Sequence, residues 1–115
     1  MTSRKILKPW GSELKFTKKS LPYTGKIITI KKGKRISLQK HSQKTETILL
    51  QKGESLLRIG DKEVRMKPMF GYTIKKNVVH RLTAIETSQL IEVSTPEKGT
   101  TFRIEDDYNR KNEKL

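Results

Sequence analysis

Gly33-Lys34-Arg35-Ile36-Ser37-Leu38-Gln39-Lys40-His41-Ser42-Gln43-Lys44-Thr45-Glu46-Thr47-Ile48-Leu49-Leu50-Gln51-Lys52-Gly53 is the stretch from which the fold can be read. Glycines bound it, and a Gln, a His and a Glu lie between them. As strand, turn and strand it has a simple geometry. Side chains alternate faces along a strand, so Arg35, Ser37, Gln39 and His41 are expected on one face. Glu46 opens the returning strand, ahead of the apolar run Ile48-Leu49-Leu50, and Gly53 is expected to supply the next turn. An imidazole, an amide oxygen and a carboxylate then converge from neighbouring strands, and all three are metal-ligand types.

The chain has only two histidines, His41 and His80. His80 closes Tyr72-Thr73-Ile74-Lys75-Lys76-Asn77-Val78-Val79-His80, which reads as a strand, a turn and the start of another strand. It is the expected fourth ligand beside Gln39, His41 and Glu46. Taken alone, a Gln-x-His pair is more often an ordinary strand face than a metal site. The full spacing changes that balance: Gly33, five residues, Gln39, one residue, His41, four residues, Glu46, six residues, Gly53.

This order resembles the first cupin motif, with Gln39 where many cupins have a first His, and the His80 stretch resembles the second. Ser37-Leu38-Gln39-Lys40-His41 is similar to the metal-binding motif of phosphomannose isomerases. Flanking segments resemble the type II enzymes, whose isomerase domain is a small cupin. These are Lys8-Pro9-Trp10-Gly11-Ser12, His80-Arg81-Leu82, Leu90-Ile91-Glu92-Val93, and Arg103-Ile104-Glu105-Asp106-Asp107-Tyr108-Asn109-Arg110, in that order. The resemblance spans Lys8 to Arg110. Some positions depart from it. Ser42 and Gln43 follow His41 where the family often has further histidines, Lys75 stands where Pro is usual, and Asn77 and Asn109 stand where Gly is usual. Asn tolerates a left-handed backbone better than most residues, so both turns are expected to survive.

Composition sets bounds. The chain is expected to be one domain over residues 1–115, with a core over about 8–110 and flexible termini. Hydrophobic residues make up 32% of it, lean for a globular protein, and a sheet folded on itself is an economical core because alternate residues can be polar outside. The absence of Cys excludes disulfides and thiolate ligands. No apolar run is long enough to span a membrane and no signal-peptide pattern is present, so a cytoplasmic protein is expected. The formal charge of +14, from 26 Lys and Arg against 12 Asp and Glu, attracts polyanions non-specifically. The basic residues are nevertheless spread along the chain without a recognition motif or a regular aromatic pattern, and no specific nucleic-acid partner is expected.

Along the chain, Met1 to Leu7 reads as a loose arm or an edge strand, and Pro9-Trp10-Gly11 as a turn whose Trp plugs one barrel end. Glu13 to Thr17 alternates weakly. Tyr23-Thr24-Gly25 reads as a turn before the β-branched run Ile27-Ile28-Thr29-Ile30. Ser55 to Ile59 and Glu63 to Lys67 flank Gly60-Asp61, a hairpin signal. Phe70 to Ile74, Val78 to Ala84 and Gln89 to Ser94 read as three further strands. Phe102 to Arg110 is expected to fold back across a barrel end, and Asn109 to Leu115 to fray. Many short strands and no helix argue for an all-β, single-domain jelly-roll barrel, the architecture the cupin resemblance also implies.

The resemblance implies interconversion of mannose 6-phosphate and fructose 6-phosphate, with one divalent ion held by Gln39, His41, Glu46 and His80. Zinc suffices because no electron moves; manganese, iron, cobalt or nickel would also fit such ligands. Lys44, two residues before Glu46, is either an acid or base at the site or a solvated turn lysine. Glu105 and Arg110 either act on the substrate or form an ion pair closing the barrel. Arg35 and Ser37 are candidate phosphate contacts, and Glu92 is a surface or a lumen carboxylate depending on register. Two other classes remain open: a non-catalytic sugar-binding cupin, and a different metal enzyme, an oxygenase or lyase, since His41, Glu46 and His80 also make a two-His-one-carboxylate set. The expected partner is a small sugar phosphate, and the resemblance further implies a homodimer.

Overall fold

The computed structural model describes residues 1–115 and contains ten strands and no helix. They are β1 (Arg4–Lys8), β2 (Gly11–Lys15), β3 (Thr24–Ile30), β4 (Leu38–His41), β5 (Glu46–Ile59), β6 (Lys62–Arg65), β7 (Tyr72–Ile74), β8 (His80–Ser94), β9 (Thr100–Glu105) and β10 (Glu113–Lys114). The expected all-β architecture is present: a curled antiparallel sheet in the order β1-β2-β3-β8-β4-β9-β10, with β5 pairing β6, β7 and β8.

The long strands β5 and β8 are its spine. They pair from Glu46↔Ser94 to Ile59↔His80, with register shifts between Leu50 and Ser55. The C-terminal half of β8 pairs β3 (Ile28↔Leu90), while its first residue pairs β4 (Gln39↔His80). One strand therefore serves both walls, and the ribbon must bend where the register slips, as bulges do. Inward-facing Ile28, Ile30, Ile48, Leu50, Leu57, Leu82 and Leu90 fill the space between the walls. Trp10, 3% exposed, packs into this core as a large apolar anchor.

Several local expectations are corrected. Gly53 does not end a strand: β5 runs through it at φ +93°, inside the irregular stretch. A Cβ there would lie 2.3 Å from the Thr87 carbonyl oxygen, so the glycine makes the bend rather than a turn. Gly53→Ala is expected to cost roughly 2–3 kcal/mol from backbone strain plus the clash, read as a lower urea midpoint at unchanged m-value. Thr24 and Gly25, read as a turn, already pair with Ser94 and Val93 in the sheet. The runs Val78–Ala84 and Gln89–Ser94 merge into β8, because Glu86 still pairs across to Glu54. The C-terminal segment contributes β10, with Glu113 opposite Thr101. Asn77 and Asn109 hold left-handed turns at φ 62° and 56°, as the Asn-for-Gly argument requires.

Candidate metal centre

Three strand ends bring the ligand-type residues together. β4 carries Gln39 and His41 on one face, β5 opens with Glu46, and β8 opens with His80 directly opposite Gln39. His80 Nε2 lies 3.0 Å from Glu46 Oε1, and His41 Nε2 lies 3.8 Å from the same oxygen. One ligand atom from each of these three residues falls within 4.8 Å of the others. Each imidazole is oriented through its far nitrogen: His41 Nδ1 is 2.9 Å from Thr101 Oγ1, and His80 Nδ1 is 2.9 Å from the Val78 carbonyl. A carbonyl only accepts, so His80 donates through Nδ1, and its Nε2 faces the cluster.

That arrangement fits a cation. His80 Nε2 is buried without a hydrogen-bond partner, although a carboxylate oxygen sits 3.0 Å away. A nitrogen and a carboxylate oxygen that converge in this way are the donor types a divalent ion takes. Burial, and then the Lys44 ammonium, lowers the His41 pKa to about 3, so the ring is neutral and its lone pair available. Burial disfavours the Glu46 carboxylate, but the buried Lys44 ammonium beside it offsets this, and the carboxyl is held well below the usual range. Neutral imidazoles and an ionised carboxylate are the ligand-competent states. Gln39 is placed differently. Its Oε1 accepts from Ser37 Oγ at 2.5 Å, and its Nε2 is 3.3 Å from His41 Nε2. Turning the amide over brings the oxygen to the cluster and lets the nitrogen donate to Ser37.

The cluster opens into a cavity of about 150 Å³ lined mostly by charged side chains. Lys44, 3% exposed, reaches Glu46 Oε2 at 3.1 Å and Glu92 Oε2 at 3.4 Å. Lys26 Nζ lies 2.6 Å from Glu97, 3.3 Å from Glu13 and 3.9 Å from Glu92. Burial raises the Glu92 pKa to about 7 against the attraction of the lysines. For Lys26, burial opposes the charge, yet Glu92, Glu13 and Glu97 outweigh it and hold the ammonium firmly protonated. Burial pushes Glu97 up, but Lys26 dominates and lowers it to about 2. A carboxyl depressed in this way adds stability that is present above its unfolded value near 4.5 and lost as pH falls toward 2. Acid unfolding is therefore expected to be shallower across that window in Glu97→Gln than in the parent, as read from denaturant midpoints at a series of pH values.

The remaining expected site residues divide. Lys44 is not a solvated turn lysine but lies at the centre of the cavity wall. Glu92 is a lumen carboxylate. Arg110 lines the cavity while its guanidinium grips Asp106 at 2.9 and 3.0 Å. Ser37 is buried and serves Gln39 rather than facing open space. Arg35 does not share the ligand face: it pairs with Asp107 at 2.7 and 2.8 Å on the surface, because the chain between Arg35 and Ser37 is not regular strand and the alternation does not run through it. Glu105 does not reach the cavity either. The β4–β9 register shifts between Leu38 and Gln39, and the Glu105 side chain is 61% exposed, 3.7 Å from Arg81. Sequence reasoning missed Glu13, Lys26, Glu97, Thr101 and Arg103. For Lys26 a signal was present, since it alternates with Ile28 and Ile30 on the inward face of β3.

Known proteins share this fold. Among solved structures, a cupin-2 domain from Rhodospirillum rubrum superposes with a TM-score of 0.76 at 15% identity, covering 86% of this chain and 73% of its own. KdgF from Halomonas sp. gives 0.72 at 13% identity, covering 85% and 88%. A putative sugar phosphate isomerase from Acidithiobacillus ferrooxidans gives 0.69 at 12% identity, covering 88% and 72%. At these identities the likeness is one of fold. No curated protein matches the sequence. The family model described as mannose-6-phosphate isomerase C-terminal matches residues 1–113, nearly the whole chain. The match extends over the curled sheet and the buried His-Glu-His cluster alike, and the chain belongs to that family, the C-terminal cupin of mannose-6-phosphate isomerase.

Proposed function

We propose that the protein interconverts mannose 6-phosphate and fructose 6-phosphate with one divalent ion, zinc as the first choice, held by His41, Glu46 and His80 and completed by Gln39. The observation that carries this reading is the buried cluster of two imidazoles and an ionised carboxylate beside a cavity that also holds Lys44 and Glu92. When bound, the ion would supply Lewis-acid stabilisation of negative charge developing on the sugar oxygens. The chain's own residues would move the protons. Aldose–ketose isomerisation removes a proton beside the carbonyl, passes through an enediol and returns a proton to the neighbouring carbon. Glu92, raised to about 7 by burial, is suited to take and return a proton near neutral pH. Lys44, between Glu46 and Glu92, would fix the position of both carboxylates and add positive charge where the enediolate forms.

A coupled assay with mannose 6-phosphate on zinc-loaded protein tests the reading; no turnover above the metal-free control would refute it. One observation favours a second reading. Gln39 offers its oxygen to Ser37, which leaves a two-His-one-carboxylate set like those that hold iron in oxygen or lyase chemistry. Iron rather than zinc in protein purified without added metal, together with inactivity toward the sugar phosphate, would select it.

A further inference from the structure

We propose that the part of this cavity lined by Lys8 on β1 and Arg103 on β9 is the subsite that holds the phosphate of a sugar phosphate; this deepens the isomerase reading and rests on it. Within the cavity Glu13, Glu46, Glu92 and Glu97 engage Lys15, Lys26 and Lys44. A phosphate monoester is close to a dianion at neutral pH. Beside those four carboxylates a phosphate would meet like charge.

Lys8 is half-buried, lines the cavity and forms no ion pair. In the same lining, the Arg103 side chain is only 10% exposed, and its Nε is buried with no hydrogen-bond partner. Its other two nitrogens are held by the Lys111 carbonyl and Glu113 Oε2, which fixes the plane of the guanidinium. A buried, unpaired cationic N–H is costly, and a phosphate oxygen is the acceptor that satisfies it best. Register places this group next to the metal centre: Arg103 lies opposite Gln39, and Thr101 opposite His41, so all four share the inward face of β4 and β9. A ligand with its phosphate at Lys8 and Arg103 then directs its sugar inward, toward His41, Glu46 and Glu92.

Strand alternation supplies a control. Ile6 and Lys8 line the cavity, so Lys5 points to the opposite, solvent face of β1. Calorimetric titration of the zinc-loaded protein with inorganic phosphate, mannose 6-phosphate and unphosphorylated mannose compares the parent with Lys8→Ala, Arg103→Gln and Lys5→Ala. Lys8→Ala and Arg103→Gln are each expected to weaken both phosphate ligands by about tenfold or more, with unchanged metal content and unchanged binding of mannose. Lys5→Ala, which removes the same charge from the outer face, is expected to leave all three ligands within about twofold, because an exposed charge acts weakly through solvent. Should Arg103→Gln fail to fold, the edge-strand pair Lys8→Ala and Lys5→Ala decides alone. Phosphate binding that is absent in the parent, indifferent to Lys8, or equally sensitive to Lys5 overturns the subsite even where the parent isomerises its substrate. The expected pattern in a parent that shows no turnover keeps the subsite and removes the isomerase reading instead.

Discussion

Replacing His80 with Ala is expected to remove bound metal and isomerase turnover together. The imidazole is 1% exposed, its Nδ1 is fixed by the Val78 carbonyl, and its Nε2 faces Glu46 Oε1 at 3.0 Å. No other side chain in the cluster can replace it, because the chain's only other histidine, His41, is already part of the set. Loss of groups that merely orient a ligand costs about 10–100-fold in metal affinity, so loss of a direct ligand is expected to exceed a hundredfold. Turnover is expected to fall by about a thousandfold or more, equivalent to roughly 4 kcal/mol of transition-state stabilisation. Plasma mass spectrometry of the purified variant, with activity expressed per folded molecule, checks both parts. His80→Ala that keeps stoichiometric metal and normal turnover would sink the proposed centre. Gln39→Ala gives a graded comparison: its oxygen is engaged by Ser37, so a smaller loss of affinity is expected from it.

The spacing of Gln39, His41 and Glu46 was readable because it depends on short-range strand geometry, and the placement of His80 follows from there being one other histidine to place. The all-β architecture, the Trp10 anchor and the Asn77 and Asn109 turns were readable for similar reasons: each rests on a local backbone preference or a single large apolar side chain. The misreadings share one cause. Alternation assigns a side chain to a face only while a strand stays regular, and Arg35 and Glu105 both lie beyond an irregularity, the broken strand at Ile36–Ser37 and the β4–β9 register shift. Gly53 reads as a turn in sequence because sequence shows a glycine but not the long-range pairing that carries β5 past it. The buried charge chain was harder to read. Glu13, Lys26, Glu92 and Glu97 look like surface residues one at a time, and their burial follows only from meeting one another across β2, β3, β8 and the loop before β9. The alternation of Leu90, Glu92 and Ser94 pointed inward, but without the register of β3 against β8 it could not be assigned to a face.

That charge chain gives the largest expected stability effect outside the metal ligands. Lys26→Met is expected to destabilise the fold by about 3–5 kcal/mol, the range seen when one partner of a buried ion pair is removed. Met matches the length and apolar stem of Lys, so packing is nearly conserved and the loss is electrostatic. Lys26 is 4% exposed and touches Glu97, Glu13 and Glu92. Without it Lys15 remains 3.4 Å from Glu97, but Glu92 is left with Lys44 alone, and Lys44 already serves Glu46. Small domains have roughly 5–15 kcal/mol in total, so the variant would lie close to its unfolding limit, with a melting temperature lower by about 15–25 °C. The pH dependence separates this cause from lost packing. Carboxylates deprived of Lys26 have raised folded-state values, so the variant regains stability relative to the parent as pH falls from 7 toward 5, whereas a packing defect would be insensitive to pH. Neutralising a partner should act in the same direction: in Lys26→Met/Glu97→Gln the two losses should be less than additive, with a coupling of about 1–3 kcal/mol. Urea unfolding of the parent, both single variants and the double variant at pH 7 and pH 5 measures all of these quantities. A Lys26→Met deficit below about 1 kcal/mol, equal at both pH values, would mean that the cavity remains wet enough for water to replace the ammonium, and the low-dielectric reading of Glu92 as a proton-transfer group would fall with it.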